Sequence, residues 1–260
     1  MHTAEKIYET IKIEEQRNVL TLRIFRPEAN NSINTTLVKE LMAILNHYET
    51  IPGIKVIVLE GMPDNFCTGM DFKAINAGDP DTLADTDPNG YYEILKHFSM
   101  CSKVIISKVE GKVNAGGIGF VAASDIVIAD EKATFGLSEA LFGLLPACVM
   151  PFLIRRIGYQ KALWMTITTQ AISSQRAHQI GLVDELSSNA NDTLRKSLLR
   201  LTKLDVDTIK DLKDYMSKLW IINDQTQLIA VNKIASLLNS EKVQSNIINF
   251  IQNGKFPWDK

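Results

Sequence analysis

Apolar and polar positions along the chain predict strands in its first two thirds and helices in its last third. Alternating or β-branched apolar runs predict five strands, at residues 7–13, 19–25, 55–59, 103–109 and 125–129. The first two, separated by a polar turn at residues 15–18, predict a β-hairpin. Residues 34–48 keep the helical spacing of apolar side chains, with Asn34 or Thr35 available as the N-cap.

Strands that alternate with helical patterns indicate right-handed crossovers and a mostly parallel sheet, so we expect an α/β core over residues 1–190. Residues 78–90 are rich in Asp, Pro and Gly without periodicity, which predicts a mobile loop. Later apolar spacing predicts helices at residues 173–180, 192–201, 206–219, 225–238 and 243–251. Residues 191–260 are therefore expected to form a helical oligomerisation region that packs outward, against another subunit.

The composition is that of a globular protein without an overall basic field. Of the 260 residues, 45% are hydrophobic and 22% charged, and the formal net charge of -2 argues against a general role in nucleic-acid binding. Cys67, Cys101 and Cys148 have no metal-ligand spacing, which predicts buried thiols and no metal site. Because we find no apolar run suited to a signal peptide or a membrane span, we expect a cytoplasmic protein without membrane contact.

Two glycine-containing segments predict turns whose backbone amides face a ligand. In residues 65–72, Gly69 permits a tight turn after a strand, which directs the following N–H groups into a crevice. In residues 109–119, three glycines within four positions open a helix, where free N–H groups and the helix dipole favour negative charge. The second segment lacks the Lys-Ser/Thr ending of a phosphate loop. Taken alone, each segment fits an ordinary βα turn or close helix packing better.

A single acidic residue, Glu139, lies between apolar stretches in a third segment, residues 133–146. Burial of this side chain raises a carboxyl pKa toward the working pH of a general acid or base. The alternative interpretation is a surface glutamate.

Taken together, these segments resemble the crotonase, or enoyl-CoA hydratase/isomerase, superfamily. Its motifs occur in order over residues 20–185: Arg26-Pro27 before Asn31, Phe-x-x-Gly-x-Asp from Phe66, Gly-x-x-x-x-Gly-Gly from Gly111, Ser124-Asp125, and Phe-Gly-x-x-Glu from Phe135. The resemblance implies the α/β crotonase (ClpP/crotonase-like) fold, a spiral of ββα units with a C-terminal α-helical trimerisation region. It also implies a homotrimer or hexamer.

By this resemblance, the N–H groups of Met70 and Gly116 form an oxyanion hole for a thioester enolate, an effect of about 3–4 kcal/mol per donor. Glu139 matches one catalytic acid/base of the family. Hydratases of the family carry a second catalytic glutamate three residues after the second oxyanion glycine, where this chain has Gly119. A simple two-glutamate hydratase is therefore disfavoured. The further substrate-binding candidates are Thr68, Gly69, Asp71, Gly117 and Tyr92.

Residues 111–121, 141–156 and 254–258 resemble one subgroup, the dehydratases of polyketide β-branching cassettes. Those enzymes convert 3-hydroxy-3-methylglutaryl groups on an acyl carrier protein (ACP) to the 3-methylglutaconyl thioester, which a partner crotonase decarboxylates. The resemblance implies a hydro-lyase with an ACP as partner and with no metal or other cofactor. Its substrate would be carried on the phosphopantetheine of ACP or CoA.

One carboxylate suffices if Glu139 takes the C2 proton and returns it to the departing C3 hydroxyl on the same face. A separate proton donor is the competing possibility, and its candidates are Tyr92, His97, Cys67 and Asn114. His97 follows an apolar helical pattern that favours a structural role, and the pair at residues 91–92 is equally typical of packing. Lys112 is the candidate for binding the free carboxylate of the substrate, although it fits a solvent-facing position as well.

Three other functions stay open. The missing second glutamate favours a decarboxylase of 3-methylglutaconyl-ACP, which needs enolate stabilisation without proton removal from C2. A hydratase of free CoA esters would need cations for the CoA phosphates, for which only the scattered Arg23, Arg26 and Lys255 are available. A non-catalytic assembly partner is disfavoured, because a scaffold has no use for Glu139 beside a glycine-rich helix start.

Overall fold

The computed structural model describes residues 8–71, 87–220 and 222–259. Its strands are β1 (Ile11–Gln16), β2 (Val19–Ile24), β3 (Val56–Glu60), β4 (Asn65–Cys67), β5 (Val104–Val109), β6 (Lys112–Asn114), β7 (Ile126–Asp130), β8 (Thr134–Gly136), β9 (Ile172–Ser173) and β10 (Glu185–Ser187). The α-helices are α1 (Thr35–Glu49), α2 (Pro88–Met100), α3 (Gly116–Ala123), α4 (Met150–Ile157), α5 (Tyr159–Thr168), α6 (Ser174–Gln179), α7 (Ala190–Leu201), α8 (Val206–Lys218), α9 (Asp224–Leu238) and α10 (Glu241–Asn253).

The strands form two sheets, and from β3 to β8 successive strands alternate between them. The larger sheet has the order β1-β2-β3-β5-β7-β10 and is parallel except for the β1–β2 hairpin. The smaller sheet has the order β4-β6-β8-β9, with β4, β6 and β8 parallel. The pairs β3–β4, β5–β6 and β7–β8 each place one strand in each sheet, which confirms the predicted crotonase spiral.

The larger sheet explains why its central strands are easy to find in the sequence. Every residue of β3 and β5 is buried, because the strands are covered on both faces. Such strands are continuous β-branched runs rather than alternating ones. The predictions at residues 55–59, 103–109 and 125–129 are therefore confirmed as β3, β5 and β7, within one residue at each end.

The N-terminal hairpin is confirmed, but its first strand was predicted too early. Gln16 pairs with Val19, so Arg17 and Asn18 alone form the turn, and Arg17 takes a left-handed conformation with φ of 53°. Residues 15 and 16, which their polarity assigns to the predicted turn, belong to β1 and are exposed on an edge strand. Ile7 lies outside the described residues.

Helix ends follow their capping residues. The Asn34 side chain accepts a 2.9 Å hydrogen bond from the N–H of Leu37 and caps α1, as predicted. Of the loop predicted at residues 78–90, residues 78–86 lie outside the described part of the chain. The prediction is wrong for its last three residues, because Pro88 begins α2 and the Asp87 side chain caps it through the N–H of Gly90.

The helices from α7 onward confirm the helical C-terminal region. They pack more closely on their own chain than expected: α8 and α9 contact α2, and α10 contacts the 3-10 turn Glu139–Phe142. Large apolar side chains nevertheless stay exposed along and just after α8 and on α9, namely Leu212, Tyr215, Met216, Leu219, Leu228 and Ile229. Within the described ranges, every helix is too short or too polar to cross a bilayer.

Candidate active site

A cavity of about 290 Å³ lies where the chain leaves the carboxyl ends of β4, β6 and β8. Because these three strands are parallel neighbours, the residues that follow them meet at one edge of the smaller sheet. Met70 follows β4, Gly116 follows β6 and Glu139 follows β8, and all three line the cavity. The wall is completed by Ile234 of α9, so the C-terminal region contributes to the site.

The backbone around Met70 is fixed by a parallel bridge to Ile33. The N–H of Ile33 donates to the carbonyl of Gly69 at 2.7 Å, and its carbonyl accepts from the N–H of Asp71 at 2.9 Å. In such a bridge the central residue directs its own N–H to the opposite side. Among the described residues, the Met70 N–H has no hydrogen-bond acceptor.

Gly116 is the first residue of α3, a position whose N–H has no acceptor within the helix. The two turns touch closely, since a Cβ placed on Gly69 (φ 89°) would lie 3.2 Å from the Gly116 nitrogen. A Cβ on Gly117 would lie 2.4 Å from the carbonyl oxygen of Cys67. Glycine at these positions thus allows the two segments with free amides to lie side by side.

Glu139 begins the 3-10 turn that follows β8, and its carboxyl is enclosed at the cavity. The Oε2 atom is inaccessible to solvent and has no hydrogen-bond partner among the described residues. Burial raises the pKa of Glu139 to about 7. Hydrogen bonds from the backbone N–H groups of Glu139 and Ser138 lower this pKa, but the effect of burial is larger. A carboxyl that is half ionised at neutral pH can both take and return a proton.

The motif residues Arg26 and Asn31 and the substrate-binding candidate Asp71 belong to one network that supports the first turn. The Arg26 guanidinium lies 3.0 Å from the Asp71 carboxylate, and both side chains are nearly buried. The Asn31 side chain accepts from the N–H of Arg26 and donates to the carbonyls of Ile24 and Asn65. Asp71 lines the cavity, but its charge is compensated by Arg26.

Most of the other predicted substrate-binding residues do not line the cavity. Thr68 donates through Oγ1 to the carbonyl of Asn30, and neither Thr68, Gly69 nor Gly117 is among the residues that line the cavity. The prediction for Tyr92 is wrong. Its side chain is fully buried beside Phe152, and its hydroxyl has no hydrogen-bond partner in the described chain. The neighbouring Tyr91 lines the cavity instead.

The remaining candidates for a second proton donor lie elsewhere or are unsuited to the role. Cys67 is fully buried, and burial raises the pKa of its thiol to about 12. Asn114 donates to Ser138 Oγ at 2.8 Å, which ties the end of β6 to the segment that carries Glu139. His97 faces Glu49, and Lys112 is exposed on β6; neither lines the cavity.

One cluster of metal-ligand types was not found from the sequence. Glu49, His97 and Cys101 each place one ligand atom within 4.8 Å of the others. The Lys213 ammonium lies 3.8 Å from Cys101 Sγ and 2.6 Å from Asp125, so a cation already occupies this neighbourhood. None of the three cluster residues lines the cavity, and we assign the cluster no part in the chemistry there.

Comparisons with known proteins agree with this geometry. A model of the enoyl-CoA hydratase/isomerase family matches residues 14–260. The bacillaene synthase dehydratase PksH of Bacillus subtilis is 43% identical over 253 residues, or 97% of each chain. The hydroxycinnamoyl-CoA hydratase-lyase of Pseudomonas fluorescens is 30% identical over 71% of this chain and 69% of its own. A crystal structure of the polyketide biosynthesis enoyl-CoA hydratase from Bacillus subtilis superposes with a TM-score of 0.91 and 42% identity, covering 96% of this chain and 100% of the other.

Proposed function

Because this chain belongs to the enoyl-CoA hydratase/isomerase family and is a hydro-lyase, we propose that it dehydrates 3-hydroxy-3-methylglutaryl-ACP in polyketide β-branching. The product is 3-methylglutaconyl-ACP. The observation that carries this proposal is the 43% identity to a bacillaene synthase dehydratase over 97% of both chains. The chemistry is supported by Glu139, which lines the same cavity as Met70 and Gly116, whose N–H groups have no acceptor among the described residues.

In the proposed mechanism, the thioester carbonyl oxygen accepts hydrogen bonds from the N–H groups of Met70 and Gly116. Loss of the C2 proton places negative charge on that oxygen, and fixed amides stabilise it more than they stabilise the neutral thioester. Each donor contributes about 3–4 kcal/mol in comparable sites.

Glu139 takes the C2 proton and then delivers it to the C3 oxygen, which leaves as water. The carboxyl returns to its starting state, so one acid/base serves both steps. A pKa of about 7 favours this double role, because neither protonation state is strongly preferred at neutral pH. We propose that no metal or organic cofactor takes part beyond the phosphopantetheine arm of the substrate.

We propose an ACP as the carrier, since the arginines that the sequence offered for CoA phosphates are engaged. Arg23 pairs with Glu60, and Arg26 pairs with Asp71. The exposed apolar side chains on α8 and α9 support a homotrimer or hexamer, because such surfaces are usually covered in an assembly.

A second candidate function is decarboxylation of 3-methylglutaconyl-ACP. It is favoured by Gly119, which stands where a two-glutamate hydratase of the family has its second catalytic glutamate. Decarboxylation needs the enolate-stabilising amides but no base at C2, whereas the raised pKa of Glu139 suits a base and favours dehydration.

The proposal is tested by incubating the protein with 3-hydroxy-3-methylglutaryl-ACP and following the mass of the acyl carrier. We expect loss of one water, with a slower reaction for the matching CoA thioester. Release of carbon dioxide from 3-methylglutaconyl-ACP in a parallel sample would select the decarboxylase instead. A faster reaction with the CoA thioester would assign the enzyme to free CoA esters.

We expect kcat/KM for dehydration to depend on the ionisation of Glu139. The free enzyme must carry the carboxylate to take the C2 proton, so the rate should rise with pH and level off above a midpoint near 7. A pH profile between pH 5 and 9, measured below saturation, checks this. A midpoint near the ordinary glutamate value of 4.5 would contradict the burial of this carboxyl.

A further inference from the structure

Tyr91 is a polar group of the cavity that the proposed mechanism has not used. Its side chain extends from α2, packs edge-on against Phe120 with ring centroids 5.5 Å apart, and lines the cavity with Glu139. Its hydroxyl donates a hydrogen bond to the carbonyl of Gly116, the residue whose N–H faces the thioester oxygen in the proposed mechanism. The hydroxyl is therefore fixed beside the reacting part of the substrate.

The position of this hydroxyl depends on the absence of a side chain at residue 119. A Cβ on Gly119 would lie 2.0 Å from the Tyr91 oxygen, far inside contact distance. The Tyr91 hydroxyl thus fills the space in which a side chain of residue 119 would begin. Gly119 lies within α3 and is buried, so the close approach of Tyr91 accounts for glycine at this position.

Hydrogen-bond directions determine what Tyr91 offers to a substrate. Because its hydrogen points to the Gly116 carbonyl, the oxygen lone pairs remain as acceptors. Burial raises the pKa of Tyr91 well above 10, and the nearby Cys67, Cys148 and Glu139 raise it further, so the hydroxyl stays neutral. It is an acceptor for an O–H group and not a source of charge.

Three other polar side chains of the cavity already have partners. The Asn34 side chain caps α1, the Asp87 side chain caps α2, and the Asp71 carboxylate pairs with Arg26. Tyr91 combines proximity to Gly116 with an available acceptor.

We infer that the Tyr91 hydroxyl accepts a hydrogen bond from the C3 hydroxyl of the substrate and turns the lone pairs of that oxygen toward protonated Glu139. This role rests on the proposed dehydration. The C2–H electron pair becomes the C2–C3 double bond, and the C3–O pair leaves with the oxygen. The proton taken from C2 by Glu139 converts the leaving group to water. Tyr91 neither gains nor loses a proton over the cycle.

The test is Tyr91→Phe, which removes the hydroxyl and keeps the ring. Two reactions are measured: dehydration of 3-hydroxy-3-methylglutaryl-ACP, and exchange of the C2 proton with D2O in 3-methylglutaryl-ACP, which has no C3 hydroxyl. We expect dehydration to fall about 10- to 100-fold, because the leaving oxygen is no longer oriented. Exchange should stay within about threefold of the wild-type rate, because it needs only Glu139 and the two amides.

Tyr92→Phe is the matched control. It also removes a tyrosine hydroxyl from α2, but Tyr92, the residue after Tyr91, does not line the cavity. We expect both of its rates to match the wild type. A Tyr91→Phe variant that dehydrates the substrate at the wild-type rate would overturn the inference. If the rates of exchange and dehydration fell equally, the role of Tyr91 would instead be to position Gly116. A wild-type enzyme that does not dehydrate the substrate would instead overturn the proposed function, and this role with it.

A second variant tests the same contact from the other side. Gly119→Ala places a methyl group where the Tyr91 hydroxyl lies, so we expect the same selective loss of dehydration. In a Tyr91→Phe background the substitution should cost less than in the wild type, because the 2.0 Å contact with the hydroxyl is gone and only the 3.1 Å contacts with the ring Cζ and with Leu95 Cδ1 remain. Additive losses in the double variant would contradict the inference.

Discussion

Replacement of Glu139 by glutamine is expected to lower kcat for dehydration by at least about 10³-fold, because one side chain carries both proton transfers. Glutamine keeps the shape of the side chain and loses the ionisable oxygen. Exchange of the C2 proton in the analogue without a C3 hydroxyl should fall as well. Steady-state rates and deuterium incorporation measure the two losses. A variant that kept the wild-type rate would remove Glu139 from the mechanism.

The same variant should gain stability at alkaline pH. The folded-state pKa of Glu139, about 7, lies above the ordinary value of 4.5, so the folded chain binds more protons between these values. Wild-type stability therefore falls as pH rises through this window, and the loss persists above it. We expect Glu139→Gln to exceed the wild type by about 1–3 kcal/mol at pH 8, with the difference vanishing near pH 4. Urea unfolding at the two pH values separates this effect from a general change in packing.

Substitution of Gly117 by alanine is expected to lower kcat by about 10²–10³-fold, the effect of losing one oxyanion donor. The added Cβ would lie 2.4 Å from the Cys67 carbonyl oxygen. Because the clash is with backbone, a change of side-chain rotamer cannot relieve it. The turn that carries Met70 and the start of α3 must separate, so the two N–H groups no longer fit one oxygen. KM should change much less than kcat.

Gly53→Ala is the control for this variant, because a Cβ there meets nothing within 4 Å. It should retain wild-type kcat. Circular dichroism and thermal unfolding distinguish a misplaced donor from a misfolded chain, since overpacking of this kind costs about 1–3 kcal/mol and leaves the fold intact. Wild-type turnover by folded Gly117→Ala would show that the two amides do not act together.

Elements with a single strong physical cause were predictable from the sequence. β3, β5 and β7 are buried on both faces, so their β-branched runs mark them without reference to the rest of the chain. The predicted first strand ends three residues before β1 does, because polarity at residues 14–16 fits an exposed edge strand as well as a turn. The sequence predicts a loop at the start of α2, because Asp-Pro is typical of turns as well as of helix starts.

The site shows the same division. Glycines next to short strands, and an acid within an apolar segment, marked three segments of interest, and the resemblance to the crotonase family pointed to Met70, Gly116 and Glu139 within them; all three line one cavity. Of the tyrosine pair at residues 91–92, the sequence does not show which ring faces the cavity: Tyr91 lines it and Tyr92 does not. Successive helical residues differ by about 100° in direction, so only the packing of α2 against α3 decides which ring reaches the cavity.

Each of the proposed catalytic groups follows a strand from a different turn of the spiral, so no two consecutive elements bring two of these groups together. Residues 70, 116 and 139 meet only after β4, β6 and β8 have paired. During folding, helices and individual strands can form while the catalytic geometry is still absent. Turnover therefore requires that β4, β6 and β8 have all paired. In a refolding experiment, recovery of activity should lag behind recovery of the helical circular dichroism signal.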